Sequence, residues 1–416
     1  MADVLRAPTG PNDLVNATGI VNAFAVDVLH QAAGNRNLVF SPASIVTALA
    51  MARAGARGDT AVEMDTVLHA PDLAGLLGAM NALDIALVSR GGWFLDPNTD
   101  PPVRHEVTLR SVNAPFAQTG YPLQPAYLDA LAASFGAGLR EVDFRADPPG
   151  AKGEINGWVS DRTEARIPAL LSPADITRLT RLVLVNAIYL KAPWTNPFDP
   201  GDTQSGQFTR ADGTTVEVPM MHLVSSNTGP TFPAARGKGW VAVRLPYLGD
   251  ELAMTIIVPD NLRTFESSLS PRTLTQLTQV TWESDREGLP AYNRVDLAMP
   301  KFSLKTATDL AETLQALGMP AAFDPSRADF TGIASPDQTG EPGLYIAKVI
   351  HEANIDVDEK GTEAAAATAV DVATAGPGDQ RKPVVIRADQ PFLFVLTDVK
   401  SGTVLFIGRV ADPSTR

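Results

Sequence analysis

The stretch DEKGTEAAAATAVDVATAGPGDQRK, residues 358–382, is polar, rich in alanine and flanked on both sides by apolar segments. Residues 344–357 before it alternate apolar and polar positions, which is typical of a β-strand. Residues 391–398 and 403–410 after it are mostly apolar runs, which also predict strands. A long exposed loop is therefore expected between strands in the C-terminal quarter of the chain.

A period of two runs through this loop. Alternate positions from Thr362 to Thr374 carry no charge, whereas the positions between them include Glu363 and Asp371. This is the pattern of a strand with one buried face and one wetter face, although alanine is a poor strand former and the run Ala364–Ala367 would favour a helix in isolation. The residues alone leave two interpretations. The segment is either a surface loop in which the alanines have no role, or a segment that is exposed to solvent in one state and can be buried as a strand in another.

Residues 359–368, EKGTEAAAAT, resemble the proximal hinge of the reactive-centre loop of inhibitory serpins. In that family an acid, a glycine, a small hydroxylated residue and a glutamate lead into a run of small residues, and ten consecutive positions here are of the same types. Such a long match is a specific signal, and it favours the second interpretation. The resemblance assigns the hinge to Glu359, Lys360, Gly361, Thr362, Glu363, Ala364, Ala365, Ala366, Ala367 and Thr368.

Other blocks resemble the same family. NLVFSPASIVTALAMA, residues 37–52, has the pattern of a strand leading into the family's second helix. RLVLVNAIYLKAPW, residues 181–194, has few charges, as a central strand buried on both faces would have, and resembles the third strand of the family's sheet A. VDLAMPKFSLKT, residues 295–306, matches a further serpin-like block. The resemblance covers roughly residues 20–410.

The resemblance implies an α+β protein with the serpin fold, which has three β-sheets named A, B and C, about eight or nine helices, and an exposed reactive-centre loop, here residues 359–382. Length alone, 416 residues, would suggest about two or three domains. No internal repeat or linker divides the chain, however. Residues 1–416 are therefore expected to form one domain, in which residues 1–11 are loosely held.

The composition argues against several classes of protein. Hydrophobic residues make up 44% and charged residues 19%, which is typical of a soluble globular chain. The 34 basic and 47 acidic residues give a net charge of −13, so neither nucleic acid nor heparin is an expected partner. No apolar run is long enough to span a membrane, and the N-terminus shows no signal peptide. The absence of cysteine fits a reducing compartment without proving one, so a cytoplasmic and a secreted location both stay open.

Motifs of enzymes and metal sites are also missing from the sequence. None of the 5 histidines forms an i,i+4 pair with another, and His351-Glu352 lacks the second histidine of a zinc-protease motif. Neither a Gly-x-Ser-x-Gly elbow nor a glycine-rich phosphate loop occurs. We therefore predict that the protein is not an enzyme, has no catalytic residues, and binds no metal or cofactor.

Two polar clusters follow from the resemblance. The family's shutter joins the second helix to two strands of sheet A, and it corresponds here to Ser41, Ser44, Asn186 and His351. Hydroxyl, amide and imidazole groups can exchange hydrogen-bond partners when strands rearrange, which apolar packing cannot do as selectively. The family's breach, at the top of the sheet, corresponds to Trp194, Lys301 and Glu359.

The resemblance also implies the mechanism of a suicide substrate. A serine protease attacks the loop and forms a covalent acyl-enzyme with a monomeric inhibitor, and the freed upstream segment then inserts between two strands of sheet A. A family spacing of about 17 positions puts the acylated residue at Ala375, followed by Gly376; a spacing one residue shorter gives Thr374, and Arg381 would suit a trypsin-like protease. The small residues around Ala375 favour an elastase-like or subtilisin-like target. The alternative is a non-inhibitory serpin that acts as a carrier or chaperone.

Overall fold

The computed structural model describes residues 6–96, 98–99, 101–226, 230–278, 291–335, 343–362 and 382–415. Across these ranges the chain forms nine α-helices and three β-sheets. The α+β architecture that the sequence predicts, with three sheets and eight or nine helices, is therefore confirmed.

The helices are α1 (Asp13–Gln31), α2 (Pro42–Arg53), α3 (Gly58–Val67), α4 (Leu73–Val88), α5 (Pro125–Phe135), α6 (Pro148–Arg162), α7 (Leu262–Ser268), α8 (Pro271–Thr278) and α9 (Ala311–Leu317). Helix α2 shows why they begin where they do. The Ser41 side chain accepts a hydrogen bond from the Ser44 backbone N–H, and Pro42 takes the first helical position, where a missing N–H costs nothing.

The strands are β1 (Leu38–Phe40), β2 (Gly92–Leu95), β3 (Arg104–Gln118), β4 (Arg140–Val142), β5 (Leu182–Pro193), β6 (Gln204–Thr209), β7 (Thr215–Val224), β8 (Phe232–Gly237), β9 (Trp240–Pro246), β10 (Leu252–Pro259), β11 (Ala291–Asn293), β12 (Val295–Pro300), β13 (Phe302–Asp309), β14 (Ile346–Asp358), β15 (Gly361–Thr362), β16 (Val384–Arg387), β17 (Phe392–Asp398) and β18 (Val404–Val410). Every residue of β10, β17 and β18 is buried, as their apolar sequences require.

Sheet A contains β13, β14, β15, β5, β3 and β2 in that order, and β4 also pairs with β3. Strands β5 and β14 are parallel to each other, whereas β3 and β13 run antiparallel to them. All of β5 is buried except Lys191. One face of the sheet packs on the main core, and the other carries a second apolar cluster in which Ile155 and Val159 of α6 meet Phe116 and Val185.

Sheet B has the order β1, β18, β17, β10, β9, β8, β11, and sheet C has the order β16, β12, β7, β6. Helix α2 lies between sheets A and B, because it contacts β5 of the first and β18 of the second. The two ends of the alanine-rich segment belong to different sheets. The described chain leaves sheet A at Thr362, and it resumes at Lys382 just before β16 of sheet C.

The described part of the N-terminal segment is anchored. The Arg6 guanidinium donates to Asn81 Oδ1 at 3.0 Å and to Asp84 Oδ2 at 2.9 Å, and the Ala7 backbone N–H donates to the carbonyl of Ala133 at 2.8 Å. These partners belong to α4 and α5. Contacts over such sequence distances are not visible in the local composition that suggested a loose segment.

Candidate functional site

The segment that stands out in the sequence begins inside sheet A. Gly361 and Thr362 form β15, which lies between β14 and β5 and pairs antiparallel with both. Farther along, those two strands pair directly with each other, Ile346–Ala353 of β14 with Leu182–Ile188 of β5. Sheet A is therefore split at one end by the start of the segment and closed below it.

Glycine is required at the first position of β15. Gly361 has a φ of 150°, and a Cβ there would lie 2.2 Å from the carbonyl oxygen of Ala192 and 2.7 Å from the Cα of Pro193. Both are backbone atoms, so no change of rotamer could relieve the contacts. Any side chain at this position would force β15 away from β5.

Trp194 closes the end of sheet A around β15. Its Nε1 donates to the Asp358 carbonyl at 3.0 Å, and its backbone N–H donates to the Lys360 carbonyl at 2.8 Å. Its ring stacks on Tyr247, with centroids 4.4 Å apart and planes 13° apart. The buried Tyr247 hydroxyl lies 2.6 Å from Oγ1 of Thr362, which is fully buried as well. Tyr247 was not foreseen from the sequence, and it links the tryptophan to the segment.

Glu359 fastens the turn between β14 and β15. Its Oε1 lies 2.6 Å from Nζ of Lys301 and accepts a hydrogen bond from Thr203 Oγ1 at 2.7 Å. The Glu359 side chain is 7% exposed and that of Lys301 is 38% exposed. Burial opposes ionisation of Glu359, but the hydrogen bonds from Lys301 and Thr203 outweigh burial and hold its pKa below the ordinary value. The carboxylate is therefore ionised at neutral pH, and the three residues assigned to the breach lie around one turn.

The four residues assigned to the shutter meet between α2 and sheet A. The Ser41 backbone N–H donates to Nε2 of His351 at 3.0 Å, so the ring proton is on Nδ1, which contacts Oδ1 of Asn186. Nδ2 of Asn186 in turn donates to Ser44 Oγ at 2.6 Å. All four residues are at most 1% exposed. One continuous set of hydrogen bonds thus joins α2, β5 and β14.

Burial leaves the imidazole of His351 uncharged. It lowers the pKa of His351 from 6.5 to about 3, because removal from water penalises the protonated ring. The two groups that contact the ring nitrogens, a backbone N–H and an amide oxygen, are neutral. The cluster therefore acts through hydrogen-bond geometry and carries no net charge.

The cluster is wider than the sequence indicated. Ser44 Oγ donates to Asn113 Oδ1 at 3.1 Å and lies 3.5 Å from Oγ of Ser111, both on β3. These two residues occupy alternate positions of β3, on the face toward α2 that also carries the apolar Leu109, Pro115 and Ala117. A period-two analysis of β3 could have detected them.

Some of the predicted residues lie outside the described part of the chain. They are the hinge residues Glu363, Ala364, Ala365, Ala366, Ala367 and Thr368, and the reactive-bond candidates Thr374, Ala375, Gly376 and Arg381.

No three His, Cys, Asp or Glu side chains in the described ranges gather in a way that could hold a metal ion. None of the helices in the described part of the chain combines the length and apolarity needed to cross a bilayer.

These features define a class of protein with three β-sheets, in which an alanine-rich segment begins as a strand of one sheet and is followed by a strand of another sheet. The family model for serpins, serine protease inhibitors, matches residues 20–413, and the chain therefore belongs to the serpin family. Many serpins inhibit serine proteases, and members of the family act as inhibitors rather than as catalysts.

Known serpins match almost the whole chain. An uncharacterized serpin-like protein of Thermococcus kodakarensis is 38% identical over 403 residues, covering 96% of this chain and 86% of that protein. Leukocyte elastase inhibitor of Bos taurus is 33% identical, covering 94% and 97%. The crystal structure of tengpin, a thermophilic serpin in the native state, aligns with a TM-score of 0.81 at 22% identity, covering 98% and 96% of the two chains.

Proposed function

We propose that this serpin is an irreversible suicide-substrate inhibitor of serine proteases, which traps the acyl-enzyme by inserting the cleaved loop into sheet A. It would itself be no enzyme. The observation that carries the proposal is the position of β15, whose residues Gly361 and Thr362 already occupy a strand position between β14 and β5. Cleavage farther along the loop would free the following residues to continue on the same path.

The pairing of β14 with β5 favours this insertion. The two strands are parallel neighbours below β15, and β15 is antiparallel to both. A strand that continued from β15 would replace one parallel ladder with two antiparallel ladders. Antiparallel pairing is slightly more stable per residue, and two ladders contain more hydrogen bonds than one.

The pairs already formed fix the register of such a strand. Thr362 pairs with Ala192 of β5 and with Val357 of β14. Counting six residues forward from Thr362, and six residues back along the antiparallel β5 and β14, puts Thr368 between Asn186 and His351. These two residues now pair with each other. The count along β5 and the count along β14 therefore arrive at two residues that are already partners, so the two pairing registers agree. Thr368 would then bring a hydroxyl to the polar cluster at the point where its strands separate.

The same register accounts for the residue types. Because Thr362 points into the core toward Tyr247, the other uncharged alternate positions up to Thr374 would share its buried face. Glu363 and Asp371 would lie on the opposite face. Small uncharged side chains can enter a packed sheet quickly, before the acyl-enzyme is hydrolysed, whereas bulky or charged ones would clash or lose hydration.

Insertion would carry a covalently attached protease a long way. About fourteen residues at about 3.3 Å each span on the order of 45 Å. Only a small distortion of the protease active site would then be needed to slow hydrolysis of the acyl-enzyme, because loss of one oxyanion-hole donor alone slows catalysis by about 10² to 10³. The acyl-enzyme would therefore persist.

We place the reactive bond between Ala375 and Gly376, with Thr374 or Arg381 as alternative acylated residues. The small residues before Gly376 suit elastase-like or subtilisin-like proteases, and the bovine relative is named as an elastase inhibitor. Mass spectrometry of the released C-terminal peptide distinguishes the candidates. A peptide starting at Gly376 supports this choice, whereas one starting at Lys382 assigns the bond to Arg381.

The other sequence assignments become proposals about this mechanism. The polar cluster of Ser41, Ser44, Asn186 and His351 would act as the shutter, because its hydrogen bonds cross the line where β5 and β14 must part. Glu359, Lys301 and Trp194 would hold the breach closed until cleavage. We also propose a monomer that forms one domain over residues 1–416, with residues 359–382 as the reactive-centre loop.

A direct test is incubation with subtilisin, elastase, chymotrypsin and trypsin, followed by denaturing gels. We expect an SDS-resistant complex with subtilisin or elastase at a stoichiometry near one, because the acyl bond survives denaturation. If every protease that cleaves the loop leaves free enzyme and no covalent complex, the protein is not an inhibitor. It would then be the carrier or chaperone that the sequence left open.

A further inference from the structure

Trp158 lies on α6, where this helix packs on sheet A. Its ring meets the Phe116 ring of β3 edge-on, with centroids 5.4 Å apart and planes 80° apart. Phe116 pairs with Arg140, the first residue of β4, so the side chains of Phe116 and Arg140 share one face of the sheet. Trp158 therefore lies over the junction of β3 and β4.

Two arginines contact the Trp158 ring. The guanidinium carbon of Arg162 is 4.6 Å from the ring centroid, and that of Arg140 is 5.2 Å from it. Arg162 follows Trp158 by four residues, so the two side chains are neighbours on the surface of α6. The two positive charges lie within about 10 Å of each other and repel.

All three side chains are hydrogen-bond donors that lack an acceptor. Among the described residues, neither the Arg140 nor the Arg162 guanidinium forms a hydrogen bond or an ion pair. The Nε1 atom of Trp158 is buried and has no hydrogen-bond partner there either. Two positive charges and a buried donor are thus gathered without a compensating negative group.

The acids nearest in sequence lie elsewhere. Glu141 follows one of the arginines along β4 and therefore lies on the opposite face of that strand. Asp161 precedes the other arginine and is turned by about 100° around α6. Glu164 forms an ion pair with Arg110 of β3 at 3.3 Å. The place for an anion beside Trp158 is therefore left to a ligand.

The chemistry of the arginines indicates which anion fits. A guanidinium on an aromatic face keeps its N–H groups free, and their fixed fork matches two oxygens of a phosphate or carboxylate group. The ring also restricts the side chain, so less entropy is lost when an anion binds. Two adjacent guanidiniums favour a divalent oxyanion over chloride, because its oxygens can accept from both.

We propose that Arg140 and Arg162, held on the Trp158 ring, form a binding site for a small divalent oxyanion such as inorganic phosphate. Arg162 is exposed and Arg140 is half-buried, so an anion from solvent can reach both guanidiniums. The bound anion would remove the repulsion between the two charges. It would also join α6 to β4, because each element supplies one arginine.

This link has a consequence for sheet A. Ile155 and Val159 of α6 belong to the same apolar cluster as Val185 of β5 and Ile350 of β14. The helix therefore packs over the two strands that separate in the proposed mechanism. An anion that holds α6 on the sheet should slow insertion of the loop. This consequence rests on the proposed function, whereas binding of the anion does not.

Calorimetric titration of the intact protein with inorganic phosphate, at constant ionic strength set by chloride, tests the site. We expect the parent to bind one phosphate saturably. Arg162→Gln and Arg140→Gln should each bind about tenfold more weakly or worse, because each loses a charge-assisted hydrogen bond. The control is Arg110→Gln, which removes an arginine of the same sheet that already has a carboxylate partner and should bind like the parent.

Thermal unfolding gives a second measurement. Phosphate should raise the melting temperature of the parent and of Arg110→Gln more than that of the two other variants, because a ligand of the native state stabilises it. If phosphate does not saturate the parent, or if Arg140→Gln and Arg162→Gln both bind it as tightly as the parent does, the inference is wrong.

Inhibition assays separate the consequence from the site. With saturating phosphate, the stoichiometry of inhibition of subtilisin or elastase should rise for the parent and stay constant for Arg162→Gln. An unchanged stoichiometry in the phosphate-saturated parent would mean that the anion does not hold α6 against insertion. A parent that forms no covalent complex at all contradicts the proposed function, and the titration still decides whether the anion site exists.

Discussion

At the residue scale, His351 joins two strands and a helix while remaining neutral. Its folded-state pKa of about 3 lies below its ordinary value of 6.5, so between these values the unfolded chain binds a proton that the folded chain excludes. The stability due to this group is therefore complete above pH 6.5 and is lost progressively as the pH falls toward 3. The shape of the stability curve thus reports the state of the polar cluster.

His351→Gln should flatten that curve. The substitution removes the titrating ring, so the dependence of the unfolding free energy on pH should decrease by up to about 1.4 kcal/mol per pH unit between about pH 4 and pH 6. Urea unfolding at a series of pH values measures this, and the comparison of slopes cancels the contribution of the carboxylates. The control is His69→Gln, because His69 is 41% exposed. Equal slopes for parent and His351→Gln would show that the ring is not held neutral.

At the scale of elements, the strands of sheet A could be predicted more completely than the contacts between them. The apolar run of β5 and the alternation in β14 mark both strands in the sequence, and the resemblance assigned Ser41, Ser44, Asn186 and His351 to one cluster that the fold does bring together. Tyr247, Thr203 and Asn113 were missed. Tyr247 and Thr203 reach the site from other parts of the chain, through long-range pairing that local periodicity does not encode, whereas the alternation in β3 marks Asn113 without indicating its partner.

The sequence also did not predict that β15 pairs with both β14 and β5, and the reason is physical. The pattern from Thr362 to Thr374 indicates that the segment can be a strand, but it does not indicate how much of it is already paired. That depends on the width of the gap between β14 and β5, which Gly361 fits because it has no Cβ. Only the assembled sheet contains this information.

Thr362→Arg should convert the inhibitor into a substrate. The Thr362 hydroxyl faces the buried Tyr247 hydroxyl, and an arginine there would bury an unpaired charge or stay outside the sheet. In the proposed mechanism insertion continues from this position, so the loop of the variant should be cleaved and the protease released. The measurement is the stoichiometry of inhibition with subtilisin or elastase. We expect this stoichiometry to rise about tenfold or more, because the acyl-enzyme is hydrolysed before a slowly inserting strand can distort the protease. Thr362→Ser serves as the control and should inhibit like the parent; a covalent complex at the parent stoichiometry with Thr362→Arg would exclude insertion from this position.

At the scale of the whole molecule, the alanine-rich segment lies between two sheets: it begins in sheet A at β15, and the described chain resumes at Lys382 before β16 of sheet C. Gly361 and Thr362 pair with both β14 and β5, and farther along these two strands pair directly with each other as one parallel ladder. In the proposed mechanism, the connection to sheet C at residue 382 would hold the segment back until the loop is cleaved. The native state is thus expected to be less stable than a cleaved state in which the segment is inserted.

Cleavage of the loop should therefore raise the melting temperature instead of lowering it. In the proposed mechanism, the hydrogen bonds of two new ladders, the burial of the uncharged face of the segment and the relief of strain in the native fold together outweigh the entropy of ordering the segment. For a chain of 416 residues each kcal/mol of net stabilisation raises the melting temperature by about 1 °C, so a net gain of several kcal/mol should give a rise of several degrees. Calorimetry of intact and nicked protein measures this, and nicked Thr362→Arg, which cannot insert, should show no rise. Nicked parent protein that melts no higher than intact protein would mean that the segment has not entered sheet A, and the trapping mechanism would have no source of free energy.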